Sequence, residues 1–151
     1  MDDRRRLVMI NSEARVASLV RQANLDATIL TANDLEQWSE HLSSHFGAIG
    51  VLEIDFNSPT LSEQISIVRE FRSQSGQSRE RCESVIFAVG SSGLRQFVPE
   101  LLIFGFAGVF CSQADGQRLR KSATNYWSGL QWPLQPLEER VRASLPWQNL
   151  V

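Results

Sequence analysis

The chain has 151 residues, enough for one domain with a proper core and too few for two of ordinary size. Hydrophobic residues make up 42% and charged residues 21%, globular values that exclude wholesale disorder. A net charge of −2 gives no general case for a nucleic-acid partner, and no apolar run approaches the roughly 18 residues of a membrane span.

In chain order, Arg4-Arg5-Arg6 is balanced by Asp2-Asp3, and the opening lacks the apolar core of a signal peptide, so a cytoplasmic location is expected. Leu7–Ile10 reads as a short apolar strand broken by Asn11-Ser12, either of which can cap the following helix. That helix carries Val16, Leu19, Val20 and Ala23 on one stripe. Asp26–Leu30 is a weaker second strand. Asn33 is expected to cap a second helix with Glu36 at its third position and Leu35, Trp38, Leu42 and Phe46 on one face. Gly50–Ile54 is an apolar strand of the kind buried on both faces of a parallel sheet, and it ends at Asp55. Thr60 and Glu63 have capping-box spacing, so a third helix starts at Leu61 and buries Ile65, Val68 and Phe71. Ser73–Glu83 is polar, a solvated loop or a frayed helix end. Val85–Val89 is the fourth strand, closed by Gly90-Ser91-Ser92-Gly93. Leu94–Phe104 is a short helix that Pro99 either kinks or opens. Ala107–Cys111 is the fifth strand, and Asp115 can cap a last helix with Leu119, Ala123, Tyr126 and Trp127 facing inward.

Five strands alternating with five helical segments imply a parallel sheet with right-handed crossovers and helices on both faces. In such sheets sites gather at the carboxyl ends of the strands, which is where Asp55 is delivered. The apolar strand ending in Asp55-Phe-Asn-Ser-Pro59 resembles the phosphoacceptor segment of response-regulator receiver domains. Val8-Met-Ile-Asn-Ser-Glu13 sits where that family has a strand ending in two acidic residues, and Gly105-Phe-Ala-Gly-Val-Phe-Cys-Ser112 is similar to its Gly-Ala-x-Gly-Tyr-x-x-Lys segment. The resemblance covers roughly residues 7 to 128. It implies a flavodoxin-like (CheY-like), doubly wound α/β fold with strand order 2-1-3-4-5, with the receiver-like domain at 1–128 and a tail at 129–151.

The departures from the family pattern carry the functional expectation. Asn11 and Ser12 fall where the family's acidic pair holds Mg²⁺. Gly90 takes the hydroxyl position, with Ser91 next to it, and Ser112 takes the position of the lysine. Only Asp55 keeps the family's chemistry. Phosphoryl transfer to an aspartate is almost wholly positioning and charge stabilisation, and Mg²⁺ demands hard oxygens in near-octahedral array. One carboxylate beside a neutral Asn and Ser is a poor cation site. The expectation is a stand-alone pseudo-receiver signalling module, not an enzyme, without metal or cofactor, acting through a protein partner or a second copy. Two alternatives stay open: a phosphorylatable single-domain regulator using Asp55, and a flavodoxin-like small-molecule binder. Asp55 can equally be a helix-flanking carboxylate bonded to the amides after Pro59.

Other motifs have plainer readings. His41 and His45 have i, i+4 spacing but no accompanying metalloprotease glutamate, and read as a solvated helix side. Cys82 and Cys111 lack metal-site spacing and a second pair, and read as reduced structural thiols. There is no G-x-G-x-x-G or P-loop. Arg118, Arg120 and Lys121 read as a solvated basic turn. Leu94, Phe97, Leu101 and Phe104 form an unusually apolar segment, offered as an interaction surface. In the tail, Trp132, Leu137, Val141, Leu145 and Trp147 are costly to expose, so it is expected to dock on that surface or on its copy in a second subunit.

Overall fold

The computed structural model describes residues 4–74, 84–111 and 113–130, without the side chains of 72–74 and 113. Five strands, β1 (Arg6–Ile10), β2 (Thr28–Ala32), β3 (Ile49–Glu53), β4 (Val85–Val89) and β5 (Gly108–Phe110), form one sheet in the order β2-β1-β3-β4-β5. Every pairing is parallel. Between and after them run α1 (Ala14–Ala23), α2 (Leu35–Ser44), α3 (Leu61–Gln74), α4 (Val98–Phe104) and α5 (Gly116–Ser128). This is the flavodoxin-like, CheY-like architecture with the strand order expected from the sequence.

The strand alternation sorts the core into two layers. Ile49 and Val51 of β3 point to the face covered by α1 and α5, where Val16, Leu19, Val20, Ala23, Leu119, Ala123 and Trp127 are buried. Leu52 points to the other face, packed by Trp38 and Leu42 of α2, Val68 of α3 and Leu101 of α4. Trp38 is fully buried and donates its indole N–H to the Val8 carbonyl at 3.1 Å. It lies directly over Gly50, where a Cβ would stand 2.5 Å from Trp38 Cζ2. Trp127 makes the matching contact on the opposite face, donating to the Gly47 carbonyl at 3.0 Å. Each indole therefore fills a layer and ties a strand or loop backbone, meeting the need of a buried donor for a partner.

Several local expectations move. β2 is Thr28–Ala32 rather than 26–30, because its ladder with β1 runs from Arg6↔Thr28 to Ile10↔Ala32. α2 is capped by Asp34, not Asn33: Asp34 Oδ1 accepts from the Gln37 amide at 2.8 Å, and Gln37 Oε1 accepts from the Asn33 amide at 2.7 Å. The residue at the start of α1 is Glu13, with no side-chain cap bond, so neither Asn11 nor Ser12 caps it. α3 continues to Gln74, and its buried row holds Gln64 and Val68 in place of Ile65. Pro99 opens α4, after a 3₁₀ turn over Ser92–Phe97. Asp115 precedes α5 without a cap bond to it. The loop expectation beyond Gln74 falls at 75–83, outside the described residues.

Candidate functional site

The carboxyl edge of the sheet receives one loop from each strand. Asn11 follows β1, Asp55 stands two residues beyond β3 and Gly90 follows β4, so these positions share an edge as expected. Ser112 lies outside the described residues. Asp55 is exposed, and its Oδ1 accepts from the Asn57 amide at 2.9 Å, closing a local Asx turn rather than reaching the amides after Pro59. Ser58 and Thr60 pair through their hydroxyls at 2.8 Å in the same loop.

Asp55, Gly90 and Ser91 converge around a cavity of about 270 Å³. Asn11 and Ser12 are not in its wall. The Asn11 amide N–H bonds the Ala32 carbonyl at 2.9 Å, and its side chain donates to Asn33 Oδ1 at 3.0 Å, toward β2 and away from Asp55. Ser12 is exposed in the turn. The cavity wall also holds Arg15 and an aromatic pair: Phe56 and Phe97 stack with centroids 4.3 Å apart at 43°. Both rings stay about one third exposed, 36% and 37%.

Gly90 is fixed by packing. Its N–H bonds the Phe110 carbonyl at 3.1 Å. A Cβ there would lie 2.7 Å from Leu94 Cδ2 and 2.8 Å from the Ile54 carbonyl oxygen. The Ile54 amide is itself tied to the Val89 carbonyl at 2.8 Å. A side chain at position 90 therefore meets backbone that cannot move without breaking the sheet edge.

Two residues that sequence reasoning passed over organise this edge. Glu13 turns away from its own helix: its Oε1 accepts from the Glu53 amide of β3 at 3.1 Å. Glu53 reaches back, its Oε1 accepting from the Arg15 amide at 3.0 Å. The two glutamates form a reciprocal clamp between the β1–α1 turn and the end of β3. Burial pushes the Glu13 carboxyl up to about 7, the Glu53 backbone bond opposes this, and the nearby Glu53 charge adds to it. The only sequence signal was a glutamate interrupting an otherwise apolar strand next to Asp55. Beneath the clamp, the buried Gln64 donates to the Glu53 carbonyl at 3.0 Å.

At the end of β5, the buried Asp115 accepts from the Cys111 amide at 2.7 Å and pairs with Arg118 at 2.9 Å. Arg118 also lies over the Phe110 ring at 5.1 Å, so it braces this loop while remaining, with Arg120 and Lys121, on an exposed basic turn as expected. Cys111 is buried; burial raises its thiol, and the hydrogen bond from Arg95 pulls the other way. Cys82 lies outside the described residues. His41 and His45 sit with ring centroids 6.4 Å apart, and among the described residues no group of three His, Cys, Asp or Glu is placed to hold a metal ion.

The expected interaction surface needs correction. Leu94 and Leu101 are core, 3% and 0% exposed, because the 3₁₀ turn and the short α4 rotate them inward. Phe104 is partly buried under Arg69, whose guanidinium lies 5.2 Å from its ring centre. Phe97 does face solvent, and the exposed apolar residues of α4 are Leu102 and Ile103, the latter 82% exposed. Trp132, Leu137, Val141, Leu145 and Trp147 lie outside the described residues.

No family model and no curated protein sequence matches the chain. Solved structures do. The response regulator receiver domain from Rhodospirillum rubrum superposes with TM-score 0.54 at 13% identity, over 83% of this chain and 95% of that one. The response regulator protein TrrA from Thermotoga maritima, in complex with Mg²⁺–BeF, gives 0.55 at 14% identity over 81% and 97%. The adenylate cyclase from Rhodopirellula baltica gives 0.57 at 11% identity over 83% and 90%. The chain has the receiver fold. Among the described residues no helix is long and apolar enough to cross a membrane.

Proposed function

We propose that this chain is a pseudo-receiver: a signalling module of the two-component type that acts by protein–protein contact, without Mg²⁺-dependent phosphorylation of Asp55 and without an enzymatic activity of its own. The observation that carries the reading is the packing at Gly90. At the position that in receivers supplies a hydroxyl to the phosphoryl group stands Gly90, and a Cβ there would crowd Leu94 at 2.7 Å and the Ile54 carbonyl oxygen at 2.8 Å. The β1 loop, which in receivers meets the β3 end through a cation, meets it here through the Glu13–Glu53 clamp. Asn11 is turned toward β2. With Glu13 and Glu53 engaged in that clamp and Asn11 and Ser12 in the acidic positions, the described residues do not offer the family's oxygen set that Mg²⁺ needs.

The contact face in this reading comprises exposed apolar groups among the described residues, Phe56 and Phe97 beside Asp55 and Leu102 and Ile103 on α4. Incubation with acetyl phosphate and Mg²⁺ followed by intact mass measurement tests the reading. No adduct is expected; an Mg²⁺-dependent phosphoryl adduct lost in Asp55→Asn would establish the phosphorylatable alternative. A second reading, small-molecule binding, is favoured by the cavity that Asp55, Arg15 and the Phe56–Phe97 pair line. Native mass spectrometry of the purified protein separates it, since a retained ligand adds mass without Mg²⁺ or phosphodonor.

A further inference from the structure

The parallel crossovers set α2 and α3 on the same face of the sheet, running in the same direction, and between them the surface falls into a groove of about 560 Å³. Its floor is apolar: Leu35 of α2 and Ile67 of α3, both half-buried against the core beneath. Ser66 keeps the α3 wall low. The walls carry glutamates from both helices, Glu36 and Glu40 facing Glu63 and Glu70, and among the described residues no lysine or arginine lines the groove. The carboxylates of Glu36, Glu40 and Glu63 are exposed and make no ion pair or hydrogen bond among the described residues. Glu36 and Glu63 sit in first turns, where the helix dipole favours them. Glu40 lies a turn further on, and its like charge at i+4 from Glu36 costs stability.

We propose that this groove docks a basic amphipathic helix of a protein partner, apolar side chains on Leu35 and Ile67 and lysines or arginines toward the two walls. Charge complementarity selects that occupant. A ring of carboxylates repels phosphates and anionic headgroups, which removes nucleic acid and acidic membranes. No three acidic or histidine groups among the described residues are placed to coordinate a metal ion, which removes a divalent cation. The ten residues of α2 span about 15 Å, so the groove matches roughly three turns of a helix presenting i, i+3, i+4 anchors. The proposal is independent of the chemistry at Asp55, because the groove shares no residue with that cavity.

The test uses the 151-residue chain and a synthetic helical peptide of about 15 residues, with a leucine stripe flanked by lysines, against the same peptide with glutamates in place of the lysines. Fluorescence anisotropy is expected to show binding of the lysine peptide alone, weakening about tenfold between low and moderately high salt. The triple variant Glu36→Gln/Glu40→Gln/Glu63→Gln, checked by its melting curve, should bind at least about tenfold more weakly. Asp26→Lys/Glu100→Lys, outside the groove, should bind like the wild type. Amide shifts on peptide addition should fall on α2 and α3. Equal binding of the glutamate peptide, or equal loss in the Asp26/Glu100 control, overturns the proposal. So does tighter peptide binding in Arg140→Glu/Arg142→Glu, which would give the groove to the chain's own tail.

Discussion

Glu13 makes the stability of this protein depend on pH in a direction opposite to that of ordinary carboxylates. Its carboxyl is raised from 4.5 to about 7, first by burial. In the folded state it therefore binds its proton more tightly than in the unfolded chain. The stability it contributes is fully present below about pH 4.5 and is lost as pH rises toward 7. The difference between 4.5 and about 7 corresponds to about 3 kcal/mol at 1.36 kcal/mol per pH unit, an upper bound for a partly exposed side chain; about 1.5–3 kcal/mol is the working range. Glu13→Gln keeps an oxygen for the Glu53 amide and removes the titration. Urea denaturation at pH 5, 6, 7 and 8 for both proteins isolates the effect of Glu13 and its coupling to Glu53, since the carboxylates remote from Glu13 cancel in the difference. The variant should gain on the wild type by about 1–2.5 kcal/mol between pH 5 and pH 8, since part of the linkage is already lost at pH 5. A difference that stays flat, or that falls with rising pH, would refute the burial argument for Glu13.

Three substitutions test the packing. Gly50→Ala should cost about 1–3 kcal/mol, because the new methyl meets Trp38 at 2.5 Å and Trp38 cannot withdraw without losing its bond to Val8; thermal melts read this. Gly90→Thr, which restores the receiver-type hydroxyl, should lower the melting midpoint by a similar free energy and produce no phosphoryl adduct. Asp115→Ala should cost about 1–3 kcal/mol by leaving the Cys111 amide without its acceptor, and Asp115→Asn less, as denaturant midpoints will show.

What the sequence made legible was whatever is written locally. The stripe of Val16, Leu19, Val20 and Ala23 repeats with helical period and all four residues are buried. The apolar run into Asp55 reads as a strand because burial on both faces leaves few polar interruptions, here Glu53 near its end. What escaped depends on contacts between distant loops. Glu13 and Glu53 are forty positions apart, and nothing in either neighbourhood says that each accepts the other loop's amide. The face of a seven-residue helix following a 3₁₀ turn is equally hard to phase. Leu94 and Leu101 went inward while Leu102 and Ile103 were left outside, because the change of helical pitch rotates the stripe. At Gly90, composition shows only a missing hydroxyl; the Leu94 side chain filling that space is a tertiary fact. Gln64 is polar and so was passed over for Ile65, yet it is the residue buried beneath the end of β3.

In the proposed pseudo-receiver, the Glu13–Glu53 clamp stands at the Asp55 edge where a receiver holds its cation. Two-dimensional amide NMR of the 151-residue chain, titrated with Mg²⁺ and then with beryllofluoride, is the decisive measurement. No saturable shifts are expected at Asp55, Gly90 or the β5 amides with either addition, and the Glu53 amide signal should stay intact throughout. Saturable Mg²⁺-dependent shifts at those positions, growing with beryllofluoride and abolished in Asp55→Asn, would contradict the pseudo-receiver reading.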